Sequence, residues 1–274
     1  MKKEIDKYIN SIIENMKVSD RLKSAMIYSI NAGGKRVRPT IALLVHKIRN
    51  KEIDDKILRY ASAIELIHTA SLIHDDLPGI DNDDIRRHKA TLHKAFDEAT
   101  AILAGDLLFI KGLEILSEND KLKIMASLAV ENLISGESLD IQFENCDISK
   151  NEWETMVKGK TGALIKLAFE VGSCLGGYNE EEINMLRQTG IDLGVVFQIS
   201  DDLLDITGNE KLVGKRLKKD KQYGKQTILK FHSLQDIKDI IEYYFKEIVD
   251  SLRNLDGNTL EIVNYITMLK ERKL

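Results

Sequence analysis

A chain of 274 residues is long enough to bury a core around an internal pocket. Its 40 Lys plus Arg stand against 44 Asp plus Glu, a net charge of −4, which excludes the global basic field that nucleic-acid binding draws on. Two cysteines, Cys146 and Cys174, are too few for a disulfide scaffold, no run reaches the roughly 18 apolar residues of a membrane span, and no apolar signal-peptide run follows the basic tip at Lys2 and Lys3. The expectation is a soluble, cytoplasmic protein with two buried, reduced thiols.

Leu, Ile, Ala, Lys and Glu dominate, period-two alternation of β-branched residues is almost absent, and the chain holds only two prolines, Pro39 and Pro78, so it reads as all-α. Helices are predicted at about 3–16, 20–31, 58–77, 99–116, 120–133, 151–175, 180–206 and 234–252. The stretch "LRYASAIELIHTASLIHDDL", residues 58–77, is apolar on nearly all sides, as befits a helix at the centre of a large bundle. Its acidic end therefore marks where a buried helix reaches an opening. "TGNEKLVGKRLKKDKQYGKQT" punctuates the last third with Gly and Lys. No Pro-, Gly- or Ser-rich linker and no low-complexity tract divides the chain, so residues 1–274 are read as one domain.

Two acidic clusters carry the chemistry. "HDDLPGIDNDDIRR", residues 74–87, crowds five aspartates ahead of two adjacent arginines. "FQISDDLLDITG", residues 197–208, carries Asp201, Asp202 and Asp205, and residues four apart on a helix share a face, which pairs Asp201 with Asp205. Asp75 and Asp81 are six apart, but if Pro78 and Gly79 loop out as a two-residue insertion the effective spacing returns to four. Each cluster ends an apolar helix, where unpaired carboxylates are costly, which weighs against ordinary solvated helix ends. Hard oxygen ligands of this kind suit Mg²⁺, which takes few carboxylates, keeps several waters and is shared with substrate phosphates. Diphosphate is then the natural ligand. "AGGKRVRP" adds Lys35, Arg36 and Arg38, and Arg86 and Arg87 follow the first cluster, all as phosphate grips. Two acidic sets with several separate cationic groups point to two anionic substrates.

With "ILAGDLL", "GKTGALI" and "GKRLKKDKQYGKQT", these segments stand in the order and spacing of the all-trans isoprenyl diphosphate synthases, the polyprenyl synthetase family, which the sequence resembles over most of its length. The resemblance implies an isoprenoid synthase fold, a large single-domain helical bundle around a deep central apolar cavity. It implies a homodimeric, Mg²⁺-dependent short-chain trans-prenyltransferase that joins isopentenyl diphosphate head to tail to dimethylallyl or geranyl diphosphate. Farnesyl diphosphate is the expected product, with geranylgeranyl diphosphate beyond it. By the same resemblance Asp75, Asp81 and Asp201 are the principal ligands of three magnesium ions, supported by Asp76, Asp202 and Asp205. Lys35, Arg38, His68 and Arg87 match the isopentenyl diphosphate site, with Gly34 permitting close backbone approach to phosphate. Arg86, Lys160, Thr161, Gln198, Lys215 and Lys225 match groups around the allylic substrate, Lys160 and Lys215 helping the departure of its diphosphate. Ala70, five residues before Asp75, stands where a bulky aromatic stops growth at fifteen carbons, and Ile67 and Ser71 flank it in the chain-length pocket.

Some positions depart from the family pattern. His88 and Ala90 stand where Gly and Pro are common, leaving the loop after Arg87 open, and Glu137 replaces the usual Gln. His74 and Asp106 are read as buried, hydrogen-bonded residues, and Trp153 as packing. Rival readings have weaker support. "ELIH" is half of a di-iron carboxylate motif without a second half, and "GNEKLVGKR" has the wrong spacing and ending for a P-loop. A terpene cyclase would lack the cations Lys35, Arg38 and Arg87, and a catalytically silent partner subunit would not need both acidic clusters intact.

Overall fold

Local caps and apolar spacing start most of the helices. The structure, a computed structural model, describes residues 1–207 and 224–271. α1 (Lys2–Glu14) buries Ile5, Ile9 and Ile13, one face at intervals of four, and α2 (Asp20–Ile30) starts behind Ser19, whose hydroxyl accepts from the Leu22 amide. α3 (Val37–Lys47) is a helix the sequence prediction omits. Its proline, Pro39, falls in the first turn, where backbone N–H groups have no intrahelical partner, so the ring costs no hydrogen bond. α4 (Asp55–Asp75) is capped by Asp54, which accepts from the Ile57 amide at 2.9 Å.

After α4 comes a short hairpin, β1 (Ile85–Arg86) and β2 (Lys89–Ala90), antiparallel with Ile85 opposite Ala90 and Arg86 opposite Lys89. Its two turn residues, Arg87 and His88, have φ of 53° and 63°. Two central residues at positive φ make a type I′ turn, so the loop left open by His88 closes through a left-handed histidine where glycine would fit at less cost. The chain continues as α5 (Leu92–Ala95), α6 (Glu98–Leu116), α7 (Asp120–Gln142), α8 (Lys150–Val157), a π-turn at Lys158–Gly162, α9 (Ala163–Gly176) and α10 (Glu180–Thr207). A 3₁₀ turn at Ile228–Lys230, α11 (Leu234–Arg253) and α12 (Leu260–Glu271) complete the described elements.

α4 is buried on nearly every side and packs on α1, α3, α6 and α9, which confirms it as the central helix; α10 packs on α9 and α11. Two differences from the predicted elements bear on function. α7 runs on past Leu133 to Gln142, and within it Gly136 lets the Lys160 backbone press against the helix: a Cβ there would lie 2.1 Å from the Lys160 nitrogen. The predicted helix 151–175 is split by the π-turn, an insertion that recurs at functional sites. On its other side Gly194 of α10 meets Gly162, where a Cβ would come within 2.4 Å of the Gly162 Cα. Glycine contacts thus clamp the π-turn between α7 and α10.

Among the described residues strands are confined to the one hairpin, and no helix is long and apolar enough to cross a membrane. The thiol expectation is corrected in part. Cys146, just past the end of α7, is exposed, while Cys174 is half-buried beside Met125.

Candidate active site

The first acidic cluster sits where α4 ends. The Asp81 amide donates to the Asp75 carbonyl at 2.8 Å, a closure over six residues where a helix closes over four, so Pro78 and Gly79 loop out as the spacing predicts. The Asp75 carboxyl is pushed up to about 8, first by burial and then by the charges of Glu137 and Asp81, against the opposing pull of Lys160 and Arg86. Asp76 is differently engaged. Buried at 3% exposure, it accepts from both Nε and Nη2 of Arg86 at 2.7 Å, so its carboxylate anchors that arginine instead of lying open to metal.

In the second cluster α10 turns its acids in two directions. Asp201 is exposed, whereas Asp202 and Asp205 are buried. Asp202 accepts from Gln198 Nε2 at 2.9 Å on one oxygen and from the Ile228 amide at 2.9 Å on the other. Gln198 in turn accepts from the Thr161 hydroxyl at 2.8 Å. Thr161, Gln198, Asp202 and Ile228 therefore tie the π-turn, α10 and the 3₁₀ turn into one unit, and Asp202 acts as its anchor, not as an open ligand.

Among the described residues no group of three or more Asp, Glu, His or Cys side chains stands ready to hold a metal ion. Mg²⁺ does not require such a cage: one or two carboxylates suffice when water and phosphate oxygens complete the shell. Asp75, with hard oxygen donors and too little positive charge around it, fits a divalent cation. Asp81 and Asp201 supply further oxygens of the same kind.

Two of the predicted lysines meet beside this cluster. Lys160 Nζ lies 2.6 Å from Asp140 and 2.9 Å from Glu137, and Lys225 Nζ lies 2.8 Å from Asp140, 3.0 Å from Glu144 and 3.2 Å from Asp81. The paired acids raise both ammonium groups above the ordinary lysine value despite burial, and the two lysines hold Asp140 below the usual carboxylate range. Asp140 and Glu144 are site residues that the sequence reading missed. Their signal was present, since Glu137 and Asp140 are three apart on one face of α7 and Glu144 follows just past its end. Lys215 lies outside the described residues.

On the same face of α4, two turns before Asp75, His68 stands among cationic groups. Burial, and then the charges of Arg38, Arg87, Arg86 and Arg36, push its imidazole well below the usual histidine value. Arg38 Nε is buried with no hydrogen-bond acceptor, and the Arg38 guanidinium is depressed by burial. Lys35 is exposed.

Gly34 acts differently from the expectation. At φ 126°, its missing side chain leaves room for Arg87, whose guanidinium carbon would lie 2.7 Å from a Cβ, and Arg87 donates to the Gly33 carbonyl. Arg36 is also corrected. It is buried, paired with Asp6 at 2.6 Å and Glu65 at 2.9 Å and bonded to the Gly33 and Ile30 carbonyls, so it braces the loop and cannot grip phosphate. That same pairing accounts for the Glu of "ELIH".

Ala70 and Ile67 are fully buried and Ser71 nearly so. Ile67 fills the groove opposite Gly112 of α6, His74 the one opposite Gly105, and Ala70 falls between them on that face of α4. Ser71 donates to its own helix at the His68 carbonyl, 3.0 Å away. His74 contacts the Ile102 carbonyl at 3.2 Å, but Asp106 is exposed, against the buried reading. Trp153 is core packing at 1% exposure.

Comparison with known proteins agrees with this geometry. The polyprenyl synthetase family model matches residues 19–265. The chain is 36% identical over 274 residues to a short chain isoprenyl diphosphate synthase of Methanocaldococcus jannaschii, covering 97% of this chain and 81% of that one. It is 37% identical over 258 residues to a farnesyl diphosphate synthase of Bacillus subtilis, covering 90% and 87%. Its fold superposes on a geranyltranstransferase of Thermotoga maritima with a TM-score of 0.86 at 32% identity, covering 99% and 97%. A Helicobacter pylori geranyltransferase complexed with magnesium and isoprenyl diphosphate superposes with a TM-score of 0.78 at 27% identity, covering 96% and 95%. With nearly the whole chain matched, this chain belongs to the polyprenyl synthetase family.

Proposed function

We propose that this protein is a Mg²⁺-dependent short-chain trans-prenyltransferase that condenses isopentenyl diphosphate with dimethylallyl or geranyl diphosphate to give farnesyl diphosphate. The observation that carries the reading is the buried, acceptor-less Arg38 Nε beside Arg87 and His68, the latter two turns before Asp75 on the same face of α4. A buried donor without a partner is costly, and a diphosphate oxygen would complete it. Arg38, Arg87 and Lys35 are assigned to the isopentenyl diphosphate, leaving its double bond facing the allylic carbon.

Lys160, Lys225 and Arg86 are assigned to the allylic diphosphate, together with Lys215. Their ammonium and guanidinium groups donate to its oxygens, and those bonds strengthen as negative charge grows on the leaving group. Asp75, Asp81 and Asp201 would hold magnesium, three ions by family resemblance, and the metal would neutralise the same developing charge as a Lewis acid. Thr161 and Gln198, locked to Asp202, fix the π-turn backbone along the allylic chain. The C–O bond breaks, the isopentenyl double bond forms the new C–C bond, and the proton lost from the adjacent carbon passes to a diphosphate oxygen.

Small Ala70 leaves the chain-length pocket open, so geranylgeranyl diphosphate is assigned as a further product. We also infer a homodimer. Ile102, Leu103 and Ile110 of α6 and Ile124, Leu128 and Ile134 of α7 form an exposed apolar face, with Ile110 and Ile124 more than 60% exposed. A second copy of the same face would cover it. The test incubates purified protein with isopentenyl diphosphate and each allylic starter, with and without Mg²⁺, and separates products by chain length. Metal-dependent elongation is expected; no elongation from any starter would remove the reading.

A further inference from the structure

Glu137 and Asp140 on one face of α7, with Glu144 just past its end, present acids to two lysines. Lys160 Nζ lies 3.0 and 2.9 Å from the two oxygens of Glu137 and 2.6 Å from Asp140, while Lys225 Nζ meets Asp140, Glu144 and Asp81. Four carboxylates thus surround two cations. Glu137 and Asp140 share Lys160, and Asp140 and Asp81 share Lys225, so one ion-pair network runs from Glu137 to the mouth of the site. The Glu137 side chain is 13% exposed, and a charge so poorly solvated is weakly screened.

A bare diphosphate carries several negative charges into this field; complexed with Mg²⁺ it carries two fewer. We propose that Glu137 is a positioning residue that makes diphosphate binding conditional on divalent metal, holding Lys160 against α7 and keeping the site too negative for the uncomplexed anion. The inference rests on the diphosphate-site reading above. It assigns Glu137 to neither metal ligation nor chemistry: it acts through Lys160 and through charge.

Glu137→Gln keeps an oxygen that accepts from Lys160 and removes the charge. Titration calorimetry with inorganic pyrophosphate is run on the full-length wild type and variant, once in excess magnesium and once with a chelator. The metal-free affinity of the variant is expected to rise about tenfold over wild type, while the affinity in magnesium changes by less than about threefold. Glu137→Met, which removes charge and acceptor together, shifts the metal-free affinity in the same direction, so the outcome does not hang on one variant's folding. Variants whose ratio of metal-bound to metal-free affinity equals that of wild type overturn the inference. Wild type that takes up no pyrophosphate even in magnesium overturns the diphosphate-site reading beneath it, which separates the two failures.

Discussion

Gly34→Ala places a methyl group where Arg87 now sits. The added Cβ would lie 2.7 Å from the guanidinium carbon and Nη1 and 2.9 Å from Nη2, on a residue at φ 126°. The backbone strain alone is worth about 1–3 kcal/mol of stability. On the proposed assignment, displacing the guanidinium also removes a charged hydrogen bond to isopentenyl diphosphate, about 1.5–3 kcal/mol, which corresponds to a rise of roughly 10–100-fold in KM for that substrate. KM for the allylic diphosphate, assigned to Arg86, Lys160 and Lys225, should change by less than about threefold. The assay is steady-state elongation with each substrate varied in turn, repeated in an Arg87→Ala background. If Gly34 serves to seat Arg87, the second substitution adds no further rise in KM, leaving only the loss of melting temperature. A KM for isopentenyl diphosphate within twofold of wild type, or effects that simply add, would refute the reasoning.

The Asp75 carboxyl, pushed up to about 8 in the fold from a reference of 3.8, favours the folded state fully where it is protonated in both states, below about pH 4, and that contribution is lost as pH rises to 8. Calorimetric melting of metal-free protein should therefore show wild type losing ground to Asp75→Asn between pH 5 and 8, with Mg²⁺ restoring wild type most at the upper end; a difference flat in pH would contradict this. Ala70→Phe should shift products toward fifteen carbons or fewer, read by chromatography of the dephosphorylated alcohols, and an unchanged distribution would remove Ala70 from the chain-length pocket. Ile110→Glu with Ile124→Glu should convert a dimer to monomer in light-scattering chromatography; a wild type that is already monomeric contradicts the assignment of that face.

The acidic helix ends, the Pro78–Gly79 loop and the central position of α4 were legible because each follows from local chemistry: charge at the end of an apolar run, or a break in helical spacing. What the sequence hid were the partners. Arg36 and Arg38 are two residues apart and equally basic, yet one is buried against Asp6 and Glu65 and the other keeps an unmet donor. Asp202 and Asp201 are adjacent, and only packing against Gln198 and Ile228 assigns the first to structure. Pro39 and Gly136 both lie within helices that the predicted elements omit or cut short: a first-turn position spares Pro39 a hydrogen bond, and at Gly136 the Lys160 backbone occupies the place of a side chain. The hairpin at Ile85–Ala90 is too short for a periodic signal.

The central claim is that the end of α4 and Asp201 of α10 together hold divalent metal on a diphosphate. Crystals grown with pyrophosphate and Mn²⁺, measured at the manganese absorption edge, test it most directly. The account predicts anomalous peaks within coordination distance of Asp75 and Asp81 on one side and of Asp201 on the other, with pyrophosphate between them. Peaks elsewhere, or pyrophosphate bound with all three carboxylates free of metal, would contradict it.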